Sequence, residues 1–179
     1  MIAAGLDVGR KRDRSALVMI QDSRVFYAVA IRGLSLPAQR QWVAEAPYQP
    51  DLIAVDATGI GLGLAEGGLS SPVLAVTITG SSGGPSGVTD GACTVGKLHL
   101  VGLVAKALRE RTLAVAPRCL GRDELRAELE AMVVGHTATG RIKAEARADH
   151  DDLVLALALA LLARDMLLGE NRHGTQQAA

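Results

Sequence analysis

Residues 149–163 read Asp149-His150-Asp151-Asp152-Leu153-Val154-Leu155-Ala156-Leu157-Ala158-Leu159-Ala160-Leu161-Leu162-Ala163. Acids and one imidazole open a run of Leu, Ala and Val that holds no Gly, no Pro and no aromatic. Apart from Val154 these are strong helix formers, so the stretch predicts a buried helix whose first turn is acidic. Carboxylates there suit the positive end of the helix dipole, and capping alone would account for Asp151 and Asp152. Two further aspartates change the reading. Asp7 closes Ile2-Ala3-Ala4-Gly5-Leu6-Asp7 and Asp56 closes Leu52-Ile53-Ala54-Val55-Asp56, each an acid at the end of a short apolar run. Carboxylates from three distant segments, gathered by a fold, make the oxygen-donor site that hard divalent cations require.

The chain has 179 residues, which fits one domain with a sizeable core. That domain is expected over 1–168, with the polar residues 169–179 as a disordered tail. The composition is 49% hydrophobic but only 2% aromatic, which speaks against base-stacking platforms for single strands. Basic and acidic residues number 19 each, so no overall basic field announces nucleic acid. A polyanion would have to be held by local patches, such as Arg10, Lys11, Arg12 and Arg14. The longest charge-free apolar run, 153–163, is too short to span a bilayer. Charges arrive at once from Asp7 through Arg14, unlike a signal peptide. A soluble cytoplasmic protein with no membrane partner is expected. Cys93 and Cys119 have no partner pattern and read as free thiols.

Residues 2–8, 15–21 and 24–31 predict three strands joined by short turns, an antiparallel meander. Helical spacing over 37–46 is closed by Pro47 and Pro50, and 52–56 is a fourth strand. A short helix ending near Gly67-Gly68 and a strand over 72–79 follow. This order gives a mixed α/β sheet rather than a doubly wound one. Residues 80–96, rich in Gly, Ser and Thr, read as a long loop. Residues 97–111 predict a helix that buries Leu98, Val101, Leu103, Val104, Ala105 and Leu108. Residues 113–115 predict a short strand ended by Pro117. Over 122–134 an amphipathic helix turns Leu125, Leu129 and Met132 or Val133 inward and Glu124, Glu128 and Glu130 outward. An edge strand is expected over 140–148.

Asp7 inside an apolar strand is expensive unless it is paired or bound to a cation, and Arg10 or Arg12 would serve as the partner in a purely structural role. Asp56 stands at the carboxyl end of a strand before Thr58-Gly59-Ile60-Gly61-Leu62-Gly63, the place where α/β sheets put ligands. Its bland alternative is an Asx-turn onto the next amides. The glycine-rich segment lacks the Lys-Ser/Thr ending of a P-loop and the distant acid of a dinucleotide fold. A backbone passing close to a ligand or a neighbouring strand explains it better. His150 is either a metal ligand or proton shuttle, or a cap and solvent contact. The basic residues Arg10 to Arg14 form either a solvated turn or a phosphate clamp.

Taken together, Gly5-Leu6-Asp7-Val8-Gly9, Val55-Asp56-Ala57-Thr58-Gly59-Ile60-Gly61 and His150-Asp151-Asp152-Leu153-Val154-Leu155-Ala156-Leu157-Ala158 resemble the nuclease domain of the large terminase subunits of tailed bacteriophages. The resemblance extends over nearly the whole chain, including 113–117 and 124–129. It implies a ribonuclease-H-like fold, with a mixed sheet of five or more strands flanked by helices. It also implies metal-dependent cleavage of double-stranded DNA during genome packaging, in the host cytoplasm. Two Mg²⁺ or Mn²⁺ ions would be held by Asp7, Asp56 and Asp151 or Asp152, and four acids this close would repel one another without them. Lys97 and the loop over 80–96 would lie beside the site and contact DNA. The partners so implied are an ATPase motor domain, the portal and the small terminase subunit. The sequence carries no P-loop of its own, so it is not expected to translocate DNA alone.

Two other readings compete. Residues 5–12 also fit Holliday-junction-resolvase-like nucleases, which act as dimers on branched DNA. A non-catalytic packaging or docking module would show no metal-dependent activity at all.

Overall fold

The computed structural model describes residues 1–10, 13–136, 142–146 and 150–176. Its centre is an eight-stranded sheet in the order β6-β7-β5-β4-β1-β2-β3-β8. In chain order the elements are β1 (Ile2–Asp7), β2 (Arg14–Gln21), β3 (Arg24–Arg32), α1 (Leu36–Ala44), β4 (Leu52–Asp56), a 3₁₀ turn (Gly59–Gly61), α2 (Leu62–Glu66) and β5 (Val73–Thr79). Then come β6 (Ser86–Thr89), β7 (Ala92–Gly96), α3 (Lys97–Arg109), β8 (Ala114–Leu120), α4 (Arg122–Ala131), β9 (Met132–His136), β10 (Ile142–Ala146) and α5 (Asp152–Gln176).

The first three strands form the expected meander, with β2 antiparallel to β1 and to β3. Strands β4 and β5 extend the sheet in parallel from the other side of β1. Alternation along each strand sorts the side chains into two cores. Ala3, Ala16, Val18, Ala54 and Val76 pack beneath α3, α4 and α5. Ala4, Leu6, Leu17, Met19, Ile53 and Val55 pack against α1 and α2. The result is a sheet between two helical layers. The run over 153–163 is buried throughout, as its composition predicts, because α5 lies between the sheet and its neighbouring helices.

Several expectations are corrected. Residues 80–96 are not a structureless loop, for β6 and β7 form a hairpin and β7 joins β5 in parallel. Its turn is Asp90-Gly91, both with positive φ (48° and 74°), a common two-residue hairpin signal. The flanking strands are short, and only Cys93 and Val95 face the core, so apolar periodicity could not reveal them. Strand β8 runs through Pro117 to Leu120, which an edge strand tolerates because its outer amides need no partner. The buried side of α3 is Leu100, Val101, Val104 and Ala107, while Leu108 is exposed. Helix α4 ends at Ala131, Met132 starts a strand, and Glu128 faces inward. The strand expected within 140–148 is β10, which pairs with β9 in a separate two-stranded sheet. Helix α5 is described through Gln176. No helix among the described residues is long and apolar enough to cross a membrane.

One close approach sets the height of α5 on the sheet. A Cβ on Gly5 would lie 2.0 Å from the Ala156 carbonyl oxygen and 2.4 Å from the Ala160 amide nitrogen. These are backbone atoms of α5, so no side-chain rotation relieves the clash. Gly5→Ala is therefore expected to destabilise the chain by about 1–3 kcal/mol or more. A shift of roughly 2–4 °C per kcal/mol would be read in thermal denaturation, and an unchanged Tm would contradict the packing.

Candidate active site

The topology brings the chemistry-bearing residues to one edge of the sheet. Strands β1, β3, β4, β5 and β7 all point the same way, and their carboxyl ends carry Asp7, Arg32, Asp56, Thr79 and Gly96. β2 runs the other way, so its first residue, Arg14, reaches the same edge. Lys97 opens α3 just after β7, and His150, Asp151 and Asp152 lead into α5. On β1 and β4 the alternation that turns Ala3 and Ala54 toward α5 also turns Asp7 and Asp56 to that side. The acids from three segments thus share one face, at the edge where α/β sheets hold ligands.

Each acid has its own surroundings. The Asp7 carboxyl is held well above the ordinary carboxylate range, chiefly by burial and then by the negative charges of Asp56, Asp152 and Asp151. Lys97 pulls in the other direction. Asp7 thus lies within electrostatic range of the other three acids. One oxygen of Asp56 accepts the Thr58 amide at 2.8 Å, the Asx-turn that was its bland alternative. Asp151 accepts the Lys97 ammonium at 2.7 Å, with side-chain exposures of 29% and 37%. Asp152 lies 3.7 Å from Arg14 Nε and 3.6 Å from His150 Nδ1, and burial raises its pKa. Among the described residues no three His, Cys, Asp or Glu side chains are gathered closely enough to hold one ion as they stand. Side chains tied to an ammonium, an amide and a guanidinium are splayed, and like charges have no reason to close up on their own.

The basic residues divide. Arg10 is exposed on the turn after β1, whereas Lys11 and Arg12 lie outside the described residues. Arg14 is only 9% exposed and is ringed by Glu124 (2.6 Å), Glu128 (3.2 Å) and Asp152, so it is an internal ion-pair partner and not an open phosphate contact. Among the described residues the cation that acts on Asp7 is Lys97 and not Arg10. His150 also contacts Arg32, an exposed residue that sequence reasoning did not single out. The glycine-rich turn after Asp56 is a backbone-packing device. A Cβ on Gly61 would sit 1.7 Å from the Asp56 carbonyl oxygen, and the Thr58 hydroxyl accepts the Ile78 amide.

Sequence reasoning missed Glu128. Its side chain is 6% exposed, and Oε2 accepts the Leu153 amide of α5 at 2.8 Å. The signal was present in the spacing, since Leu125, Glu128 and Leu129 occupy one helical face.

Compared with solved structures, the chain superposes over most of its length on phage nucleases. One is the large terminase nuclease from thermophilic phage G20c, determined with bound magnesium: TM-score 0.67, 21% identity, 90% of this chain and 80% of that one. Another is the nuclease domain of the large terminase subunit of bacterial virus Sf6: TM-score 0.65, 11% identity, 89% of this chain and 87% of that one. The fold is that of the phage large-terminase nuclease domains. At these identities the likeness speaks for the fold. No protein-family model matches the chain, and no curated protein matches it by sequence.

The raised pKa of Asp7 has a defined consequence for stability. A carboxyl whose folded pKa lies above its unfolded value near 3.8 favours folding at low pH, and that contribution is lost as pH rises through the folded value. Asp7→Asn removes the penalty of an ionised, crowded carboxylate. The metal-free variant is expected to melt higher than the wild type at pH 7, with the difference shrinking toward pH 4. Equal melting temperatures at both pH values would contradict the electrostatic description.

Proposed function

We propose that this protein is a metal-dependent endonuclease acting on double-stranded DNA during phage genome packaging. The observation that carries the reading is the convergence of Asp7, Asp56, Asp151 and Asp152 on one sheet edge, within a fold shared with terminase nucleases. The donor set fits hard cations, being all carboxylate oxygen, with acids that repel one another and a burial cost on Asp7 that a cation would remove. Asp7, Asp56 and Asp151 or Asp152 would hold the ions. Two Mg²⁺ or Mn²⁺ ions held there would activate a water for attack and offset charge on the departing oxygen. The related nucleases have been solved with such cations, magnesium and cobalt for G20c and manganese for a mutant of the Sf6 domain.

The chain's own residues would do the rest. Lys97 places a partly exposed ammonium at the lip, where a backbone phosphate would approach. Arg10 and Arg32, exposed on the same edge, extend that basic border. His150, between Arg32 and Asp152, would orient the Asp152 carboxylate. The ATPase motor, portal and small terminase subunit are the partners this role would require, since translocation needs an ATPase.

Purified protein incubated with supercoiled plasmid is expected to nick it with Mn²⁺ and not with EDTA. Asp7→Ala and Asp56→Ala are expected to lower the cleavage rate by at least about 10²-fold while leaving the circular dichroism spectrum unchanged. Cleavage of a four-way junction in strong preference to linear duplex would instead favour a resolvase. Mn²⁺ is also expected to raise the wild-type Tm and leave that of Asp7→Asn in place. A protein that neither cuts nor shifts its Tm with Mn²⁺ would be a docking module.

A further inference from the structure

Helix α5 begins at Asp152, and its first backbone bond runs from the Leu155 amide to the Asp151 carbonyl at 2.9 Å. Asp151 therefore holds the N-cap position. An aspartate there ordinarily turns its carboxylate onto the amides two or three residues on, here Leu153 or Val154, because these have no partner within the helix. Asp151 does not. Its Oδ2 meets Lys97, on a different helix, and the Leu153 amide donates to Glu128 Oε2 at 2.8 Å. The Val154 amide also favours the charged form of the Glu128 carboxylate.

We infer that Glu128 is a positioning residue for the cation-binding acids, capping α5 from α4 so that the Asp151 carboxylate is not drawn onto its own helix. The inference rests on the metal-binding reading of those acids. A buried carboxylate between Leu125 and Leu129, where an apolar side chain would pack, is costly unless its bonds serve a purpose. Arg14 holds it in place, with Nη1 3.2 Å from Glu128 and Nη2 2.6 Å from Glu124. With Glu128 removed, the nearest acceptor for the orphan amides is Asp151 itself. The acid would then leave the site and serve as an ordinary cap.

The test is Mn²⁺ binding to the full chain by titration calorimetry, alongside the melting temperature of the metal-free protein. Glu128→Ala is expected to weaken Mn²⁺ binding by about 10–100-fold, the range typical of residues that orient metal ligands. Glu128→Gln keeps an acceptor oxygen for the Leu153 amide and is expected to bind like the wild type. Glu124→Ala, which strips Arg14 of its exposed partner, is expected to do the same. A Glu128 of merely structural value would lower the metal-free Tm and leave the Mn²⁺ affinity alone, which overturns the inference. So does a loss in Glu124→Ala as large as in Glu128→Ala, because the Arg14 ion pair would then be responsible. Should Glu128→Ala fail to fold, Glu128→Asp decides. Its carboxylate is one methylene too short to reach, and equal affinity for the Asp and Gln variants refutes the capping role. A wild type that binds no Mn²⁺ removes the metal centre itself, whereas wild-type binding with unchanged affinity in Glu128→Ala removes this inference alone.

Discussion

Backbone contact between α5 and β1 at Gly5 governs the placement of everything at the acidic edge. A helix normally stands off a sheet by the thickness of two layers of side chains, and here one layer is missing. The small residues Ala156 and Ala160, one turn apart, let the helix come down onto the strand, and the larger Leu153, Leu157 and Leu161 fill the flank. Asp7 follows Gly5 by one strand repeat and emerges on the same face. The height of the helix therefore decides how far Asp151 and Asp152 sit from Asp7 and, through the parallel register of β1 and β4, from Asp56. A one-turn slip of α5 would carry its acids about 5.4 Å along the helix axis, beyond the reach of a shared ion.

The same placement sets stability against function. Four acids converge with Lys97 and Arg14 close by, and Arg14 must also satisfy Glu124 and Glu128. Burial and mutual repulsion raise the Asp7 and Asp152 carboxyls, so the folded state works against the charge it concentrates. The rigidity that permits this comes from elsewhere. The uninterrupted apolar helix and two separate cores supply it, and the turn after β1 is tied down by Ser15 and Gln39, which bond the Gly9 amide and carbonyl. An edge that is electrostatically unfavourable can persist because the layers beneath it are not.

Much of this was legible in the chain. Strongly periodic or uniformly apolar stretches such as 2–8, 15–21, 52–56 and 153–163 took the forms their patterns predicted, because burial on one or both faces leaves the backbone little choice. Asp7 and Asp56 stood out as charges closing apolar runs. What escaped lay where tertiary partners outweigh local pattern. The β6–β7 hairpin has too little core contact to show periodicity, although Asp90-Gly91 marked its turn. Pro117 was read as a stop because a single sequence does not say which strand lies at an edge. Glu128 was placed outward by its charge alone, when the spacing from Leu125 pointed inward. Arg14 was grouped with its basic neighbours, yet β2 starts there and the alternation with Ala16 and Val18 draws it under α4.

The two cations beside the acids differ in a way that bears on how the site can change. Arg14 is buried, permanently charged, and shared among several carboxylates, so removing it from Asp152 would strand charges in a dry interior at a cost of several kcal/mol. Among the described residues Lys97 pairs with Asp151 alone, is more than a third exposed, and holds a pair worth no more than about 1 kcal/mol in water. A divalent ion entering among the acids would thus compete with Lys97 and leave Arg14 where it is. The ammonium is the replaceable part of the arrangement and the guanidinium the fixed part. On that division Asp151 is the acid free to exchange partners, and Asp152 is the one the protein itself already holds.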